Sequence, residues 1–285
     1  MTRLTGELIS EISETIAAYD QELARKSGLT LRQIAARTAG LSEETLCEGL
    51  RSESVAVIPV TAGQGVIEGF TQAVEGIIEF LGCPCFITEN SDAAGFAEAI
   101  EKGATIVFLA DDNRFIAVNL SQKRVIDNAK ATGWSYAHVL DACVGSLNGR
   151  EVLLIGAGQV GKNALPALLK LGAKVGIFDI NGSKVQPLVD QFKIKQEENL
   201  FDALDSYTLF YDASPAPDII LAKHIKPETI IAACGIPIGL SDEALALVEE
   251  RLIHDPLQLG TAAMLAMAVG HGLNDKYGGR IGRIA

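Results

Sequence analysis

Residues 152–161 read VLLIGAGQVG, an apolar run that ends in three glycines with the spacing G-x-G-x-x-G. Gly156 permits a tight turn out of a strand, Gly158 lets the backbone approach a pyrophosphate, and Gly161 lets the next helix pack closely on the strand. A second apolar run ends in Asp179, 18 residues after the last glycine, where a carboxylate accepts hydrogen bonds from ribose hydroxyls. Strand, glycine turn, helix, strand and acid in this order predict a dinucleotide-binding Rossmann fold.

A nucleoside-triphosphate loop is the alternative interpretation of the same glycines. Residues 156–163 read GAGQVGKN, and a triphosphate loop needs Ser or Thr after its lysine to ligate magnesium. Asn163 supplies no hydroxyl. A triphosphate loop also has no need of an acid at the end of the next strand, so a kinase or ATPase is disfavoured.

The residues around Asp179 favour NAD over NADP. A carboxylate repels the 2′-phosphate of NADP, which is normally held by a nearby cation, and the first cation after Asp179 is Lys184. All but one of the predicted cofactor contacts lie in loops that follow strands. The exception is Thr261, near the start of the C-terminal helix. The predicted contacts are Gly156, Gly158, Gln159, Val160, Gly161, Asp179, Ile180, Ala213, Ser214, Pro215, Cys234, Gly235 and Thr261. The small residues and prolines of 213–215 and 234–237 are also typical of ordinary turns.

Composition excludes several classes of function. The chain has 285 residues and a net charge of −12, and this charge would repel a nucleic-acid backbone. No apolar stretch reaches membrane-spanning length, and the first residues lack a signal-peptide pattern, so we expect a cytoplasmic protein without a membrane segment. The five scattered cysteines indicate reduced thiols, and their spacing predicts no metal site. We expect a homo-oligomer, a dimer.

The order of apolar segments predicts an α/β protein of two domains. Residues 5–50 are helical, and strands at 55–60, 84–88 and 105–110 alternate with helices at 66–81 and 93–101. A hairpin over 115–126 and a helix through Tyr136 and Cys143 follow. We predict an N-terminal α/β substrate domain with leading helices (1–148) and a doubly wound parallel sheet of the Rossmann type (149–260). A C-terminal helix from about Thr261 to Gly270 and a mobile basic tail complete the chain (261–285).

Polar loops follow two strands of the first domain. Asp111, Asp112 and Asn113 come directly after the strand at 105–110, and the loop 59–65 offers hydroxyl, amide and glycine N–H groups. We expect the two loops to open on the same edge of the sheet, where the second could hold a carboxylate. A solvated turn is the plain alternative for the acids. Among the histidines only His254 lies beside an acid at a strand end, and no hydrolase motif is present.

These segments together resemble the pyrrolysine synthases over roughly residues 4 to 270. The resemblance rests on IPVTAGQG (58–65) with Phe70, ADDN (110–113), the glycine fingerprint, CGIP (234–237) and PLQLGT (256–261). The first two are far more specific than the fingerprint. The family pattern has glutamate where this chain has Asp255, and one methylene less shifts a carboxylate by about 1.5 Å.

The resemblance implies a reaction and its residues. NAD+ would oxidise the terminal amine of the methylornithine part of L-lysine-Nε-(3R)-methyl-D-ornithine, ammonia would leave, and the other ornithine amine would close the pyrrolysine ring with loss of water. Asp111 would be the catalytic residue, orienting the amine or the ring-closing atoms. The implied substrate contacts are Leu4, Val60, Thr61, Ala62, Phe70, Asp112, Asn113 and Asp255. Phe70 would form an apolar wall, and Thr61 or Ala62 would belong to the carboxylate loop.

Two other functions share parts of this pattern. Another two-domain NAD(P) dehydrogenase, acting on an amino acid or a folate-type substrate, would have the same plan. It would normally place a lysine in the first-domain cleft, and none lies next to Asp111 or Thr61. A non-catalytic NAD-sensing module is the second alternative. A redox sensor of this kind that binds DNA would need a basic recognition element, which the acidic composition does not provide.

Overall fold

The computed structural model describes residues 4–63, 65 and 67–270. The predicted mobile tail beyond Gly270 lies outside the described residues. Gln64 in the loop 59–65 and Val66, which follows that loop, also lie outside them. The described chain forms two sheets flanked by helices. The predicted α/β class, with a Rossmann sheet following a first α/β layer, is confirmed. The domain bounds stay a prediction.

The first sheet combines three parallel strands with an antiparallel hairpin. Its strands are β1 (Val55–Ile58), β2 (Cys85–Ile87), β3 (Ile106–Ala110), β4 (Phe115–Asn119) and β5 (Arg124–Asp127). They lie in the order β2-β1-β3-β4-β5. β4 is antiparallel to both β3 and β5, so β5 runs in the same direction as β1 and β3. The carboxyl ends of β1, β3 and β5 therefore share one edge.

Seven helices of the described chain accompany the first sheet. They are α1 (Gly6–Ile9), α2 (Ile12–Ser27), α3 (Leu31–Ala39), α4 (Glu43–Ser52), α5 (Phe70–Phe80), α6 (Asp92–Glu101) and α7 (Asn128–Cys143). Apolar residues of α2 at helical spacing, Ile12, Ile16 and Leu23, are buried and join the core formed with α5 and α7. Thr30 begins α3 with a capping box, since its side chain accepts the Gln33 N–H.

The second sheet is parallel throughout and doubly wound. Its strands are β6 (Glu151–Ile155), β7 (Lys174–Phe178), β8 (Lys195–Gln196), β9 (Leu209–Asp212), β10 (Ile230–Ala233) and β11 (Leu252–His254). Their order is β11-β10-β9-β6-β7-β8, so the chain direction across the sheet reverses between β6 and β9. Ligands of such sheets bind outside the carboxyl ends of the strands at this switch point. The helices of this half are α8 (Gln159–Lys170), α9 (Gly182–Phe192), α10 (Leu200–Ser206) and α11 (Asp242–Val248), and α12 (Gln258–Val269) follows β11.

Some boundaries differ from the sequence expectations. The helix expected at 66–81 begins at Phe70, because Gly63, Gly65 and Gly69 take positive φ angles that keep the preceding chain in turns. β1 ends at Ile58, directly before a proline. Helix α12 begins at Gln258, earlier than the expected start near Thr261. The apolar periodicity does not predict α10, α11 or the two-residue strand β8.

Helix α7 brings the two sheets together. It begins where β5 ends, and a Cβ on its Gly133 would lie 2.8 Å from the Ala164 N of α8, so only glycine permits this approach. Near the start of α7, a Cβ on Gly260 of α12 would lie 2.6 Å from Thr132 Oγ1 and 2.8 Å from Asn128 Oδ1. Since α8 and α12 both start at the carboxyl edge of the second sheet, the carboxyl edges of both sheets meet beside the start of α7. Among the residues in the ranges described, no helix has the length and apolarity needed to span a bilayer.

A matched pair of glycines tests the packing of α8. A Cβ on Gly161 would lie 1.9 Å from the Gly156 carbonyl oxygen, whereas a Cβ on Gly158 meets nothing within 4 Å. Gly161→Ala should therefore reduce the free energy of unfolding by about 1–3 kcal/mol, the usual cost of overpacking, and Gly158→Ala should change it by less than about 0.5 kcal/mol. Chemical denaturation measures both, and equal stabilities of the two variants would contradict the packing described.

Candidate active site

The glycine loop forms an anion site at the start of α8. Gly156, with φ +97°, turns the chain out of β6 against the Ala213 backbone. Gly158 is the N-cap of α8, and its carbonyl accepts the Lys162 N–H at 2.9 Å. The preceding N–H groups, of residues 159–161, have no intrahelical partner and point out of the helix start. The open space beside Gly158 lets a phosphate group approach these donors.

Asp179 lies at the mouth of the glycine loop. Its Oδ2 accepts the Ala157 N–H at 2.7 Å, and its Oδ1 accepts the Asn181 N–H at 2.8 Å. These bonds fix a half-buried carboxylate beside the anion site. The next side chain, Ile180, is 96% exposed, which is unusual for isoleucine and leaves an apolar surface next to the acid.

The loops after β9 and β10 contact each other beside the glycine loop. Ala213 donates its N–H to Ile155 O at 2.8 Å, and a Cβ on Gly235 would lie 1.9 Å from Ser214 O. Ala213, Ser214 and Cys234 are half-buried and Pro215 is exposed. Burial raises the pKa of the Cys234 thiol, so the thiol stays neutral. The predicted cofactor residues of these three loops are thus brought together.

Thr261 differs from the other predicted cofactor contacts. It lies within α12, is 0% exposed, and its Oγ1 has no hydrogen-bond partner among the residues the structure covers. The side chain is therefore buried in the interior of the protein. Its contact with a cofactor stays a prediction.

The acidic loop of the first sheet lies at the shared edge. Asp111, Asp112 and Asn113 are exposed after β3. Asp111 Oδ1 accepts the N–H groups of Asn113 and Arg114 at 2.8 and 2.7 Å, and these bonds lower the pKa of its carboxyl. The loop after β1 contacts it, since a Cβ on Gly63 would lie 2.2 Å from Asp112 Oδ2. The expected opening of both loops on one edge is what the structure shows.

Asp92 is a third acid at this edge that sequence patterns did not single out. Its Oδ1 accepts the Thr61 N–H at 2.9 Å, and its Oδ2 accepts the Thr61 hydroxyl at 2.5 Å. The Thr61 hydroxyl, which was expected to bind a substrate carboxylate, therefore donates its hydrogen bond to a carboxylate of the protein. Asp92 also begins α6 with a φ of +53°. An acid at the start of a predicted helix was the only feature of the sequence that could have indicated this residue.

The remaining predicted substrate residues are apolar, and one of them, Phe70, packs at this edge. Phe70 begins α5 and packs edge-on against Phe115, with ring centroids 5.2 Å apart. Leu4 is half-buried and packs on the same core. Val60 is half-buried, and Ala62 is exposed.

Asp255 is buried and bound by two tyrosines. Its Oδ2 accepts the hydroxyls of Tyr19 and Tyr136, each at 2.9 Å, and its Oδ1 accepts the Leu259 N–H at 3.1 Å. Burial raises the pKa of the carboxyl, while the hydroxyl donors oppose the shift. The carboxylate thus ties the leading helix α2, α7 and the start of α12 together. It is 5% exposed, so its contacts are to the protein itself.

Comparison with known proteins follows the same division of the chain. Residues 8–126 match the N-terminal domain model of the pyrrolysine biosynthesis protein PylD, and residues 138–232 match the shikimate / quinate 5-dehydrogenase model. The pyrrolysine synthase of Methanosarcina acetivorans is 29% identical over 93% of this chain and 98% of its own length. That of Methanosarcina barkeri is 27% identical over 93% and 97%. Quinate dehydrogenase from Corynebacterium glutamicum, solved in complex with NAD, has a TM-score of 0.51 at 12% identity, covering 78% of this chain and 94% of that one.

The fold and the loops at the switch point define a two-sheet protein of the dehydrogenase type. The match of residues 8–126 and the two near full-length relatives then show which proteins the chain is similar to. The resemblance to the pyrrolysine synthases is confirmed over nearly the whole chain, and these findings support an oxidoreductase of pyrrolysine biosynthesis.

The tyrosine cluster yields a stability prediction. Tyr136 bonds both the carboxylate and the backbone of Asp255 and is 1% exposed, whereas Tyr19 bonds only the carboxylate and is half-buried. Tyr136→Phe leaves several buried groups unpaired and should cost about 1–3 kcal/mol in the free energy of unfolding. Tyr19→Phe should cost less. Urea denaturation compares the two, and a larger loss for the Tyr19 variant would be inconsistent with these contacts.

Proposed function

We propose that this chain oxidises the terminal amine of the methylornithine moiety of L-lysine-Nε-(3R)-methyl-D-ornithine with NAD+ and closes the pyrrolysine ring. The substrate is taken from the pyrrolysine synthases, which the chain resembles over nearly its whole length. The observation that carries the proposal is the meeting of two carboxyl edges beside α7. One edge offers an anion site and small-residue loops, and the other offers carboxylates with an aromatic wall.

The second sheet fits a nicotinamide dinucleotide. The N–H groups at the start of α8 suit a diphosphate, and Asp179 suits the ribose hydroxyls at the end of β7. The carboxylate disfavours a 2′-phosphate, so NAD is proposed over NADP. The exposed Ile180 side chain suits one face of the adenine ring. The bound cofactor supplies a hydride acceptor.

The first sheet suits a substrate with two ammonium groups. Asp92, Asp111 and Asp112 bring negative charge to one edge, and no lysine lies in the loops 59–63 or 111–113. The pKa of Asp111 is lowered by its two N–H donors, so this side chain stays ionised at neutral pH. A carboxylate of lowered pKa holds an ammonium group well and accepts a proton poorly. We therefore propose that Asp111 orients the amine and that water removes its proton.

In the proposed reaction NAD+ accepts the hydride and ammonia is the leaving group. The carbon that bears the terminal amine loses a hydride, and the nitrogen loses a proton, which gives an imine. Water adds and ammonia leaves, which gives the semialdehyde. The other amine of the ornithine moiety attacks this aldehyde, and loss of water closes the ring. The apolar side chains of Phe70 and Leu4 would exclude bulk water from these steps.

Incubation with NAD+ and the synthetic isopeptide tests the proposal. We expect the absorbance of NADH to rise and a product of the mass of pyrrolysine to appear, with one NADH for each product molecule. Turnover of an ordinary amino acid or a folate, without turnover of the isopeptide, would instead support the general dehydrogenase. Binding of NAD+ without turnover of any of these would support a non-catalytic module. The expected homodimer and cytoplasmic location stay predictions; light scattering measures the former.

Asp179→Ala should weaken NAD+ binding and relax discrimination against NADP+. The variant loses the acceptor for the ribose hydroxyls and the charge that repels a 2′-phosphate, so we expect about a tenfold higher Kd for NAD+, equivalent to 1.4 kcal/mol. Calorimetric titration with both cofactors measures this. Asp190→Asn, an exposed acid on α9, is the control. Unchanged affinity for both cofactors would show that Asp179 does not contact the ribose.

Asp111→Asn should reduce kcat/KM for the isopeptide by about 10–100-fold, because it removes the charge that holds an ammonium group. The amide oxygen can still accept the N–H groups of Asn113 and Arg114, so the turn and the Kd for NAD+ should be retained. Steady-state kinetics and cofactor titration measure the two quantities, with Glu101→Gln on the exposed face of α6 as control. A parallel loss of NAD+ affinity would indicate a folding defect rather than a substrate role.

A further inference from the structure

Asp212 is a buried acid that the proposed reaction does not use. It is the last residue of β9 and pairs in register with Ile155 of β6 on one side and Ala233 of β10 on the other. It therefore lies at the switch point of the sheet, directly below the residues that begin the glycine loop and the loop 234–237. Its side chain is 0% exposed.

The carboxyl group of Asp212 contacts two separate loops. Its Oδ1 accepts the Ser214 N–H at 2.9 Å. Its Oδ2 lies against Gly239, where a Cβ would be only 2.4 Å away, and has no well-formed hydrogen bond within the described part of the chain. Burial raises the pKa of the carboxyl to about 7, against the effect of the Ser214 and Gly239 N–H groups. An acid held in this way carries a cost in folding free energy.

The backbone of Asp212 joins the same two loops. Its carbonyl oxygen accepts the N–H groups of Cys234 and Gly235 at 2.9 and 3.3 Å. Gly235 in turn lies against Ser214 O, and the Gly239 carbonyl accepts the N–H groups of Ile219 and Ile220. The loops 213–215 and 234–239 are thus fixed relative to each other through one residue.

A purely structural role does not explain an acid at this position. Replacing a buried charged or polar group by an apolar one of similar volume is often neutral or stabilising for the fold. The neighbours on the same face of the sheet, Phe210, Ile231 and Ala233, are apolar, so leucine would suit the surroundings. The acid is better explained by the loops that it holds.

We propose that Asp212 is a positioning residue that fixes the loops 213–215 and 234–239 as one surface for the nicotinamide half of the dinucleotide. The inference rests on the proposed function in one respect, that the ligand is a nicotinamide dinucleotide. The adenosine half would depend on the loop 156–161 and Asp179, which do not contact the Asp212 carboxyl. Substitution of Asp212 should therefore change the affinity for the nicotinamide half of the ligand and leave the affinity for the adenosine half unchanged.

The test is calorimetric titration of Asp212→Leu and Asp212→Asn with NAD+ and with ADP, which carries only the adenosine diphosphate half. For Asp212→Leu we expect the Kd for NAD+ to rise about tenfold or more, the Kd for ADP to stay within twofold, and Tm to be equal or higher. Asp212→Asn keeps an acceptor for the Ser214 N–H and should recover part of the loss. Asp205→Asn, an exposed acid of α10, is the control.

Three results would overturn the inference. Equal losses of NAD+ and ADP affinity with a lower Tm would indicate a general structural role. Unchanged NAD+ affinity in both variants would show that the loops do not need the carboxyl. Failure of the parent protein to bind NAD+ at all would refute the proposed cofactor and, with it, this role for Asp212; the parent titration separates that case from the other two.

Discussion

Two glycines allow three helices to approach closely enough to unite the sheets. Gly133 lets α7 lie against the backbone of α8, and Gly260 lets the start of α12 lie against the first turn of α7. A side chain at Gly133 would collide with the backbone of α8, and a side chain at Gly260 would crowd the side chains of Thr132 and Asn128. The cleft depends on this contact, because α7 begins at the carboxyl edge of the first sheet while α8 and α12 begin at that of the second. The core is continuous through these helices as a result.

The two edges differ in their electrostatic character. The start of α8 presents unpaired N–H groups and the positive end of a helix dipole, which suits a diphosphate. The edge of the first sheet presents exposed carboxylates, which suit ammonium groups. A ligand with phosphates would therefore bind at the edge of the second sheet, and a ligand with amines would bind at the edge of the first. The buried Asp255 carboxylate then connects α2, α7 and α12.

The sequence predicted most of the fold because its signals are local. The glycine fingerprint, the apolar strand and Asp179 lie within a single β-α-β unit, and the alternation of the first domain is equally short in range. The position of Asp111 and Asp112 at the end of a strand was also predicted, since both residues follow the strand directly in the sequence. The bond from Tyr19 to Asp255 spans 236 positions, and that from Tyr136 spans 119. No periodicity connects residues so far apart, so the sequence could not show that Asp255 is already bound by the protein.

Two further contacts escaped prediction for different reasons. Asp92 binds the Thr61 loop across 31 positions, so the hydroxyl that looked free in the sequence has a partner in the fold. Asp212 ends an apolar strand and resembles an ordinary first turn residue. Only the register of β9 between β6 and β10 shows that it lies at the centre of the sheet, below two loops. Burial of a polar side chain depends on the packing of distant segments, so a short sequence motif does not predict it.

A crystal structure with NAD+ and the isopeptide bound would test the central claim most directly. We predict the diphosphate on the N–H groups of residues 159–161, the nicotinamide ring against the loops 213–215 and 234–237, and a substrate amine within hydrogen-bond distance of Asp111. A cofactor bound away from the glycine loop, or a substrate bound away from the shared edge of the two sheets, would contradict it.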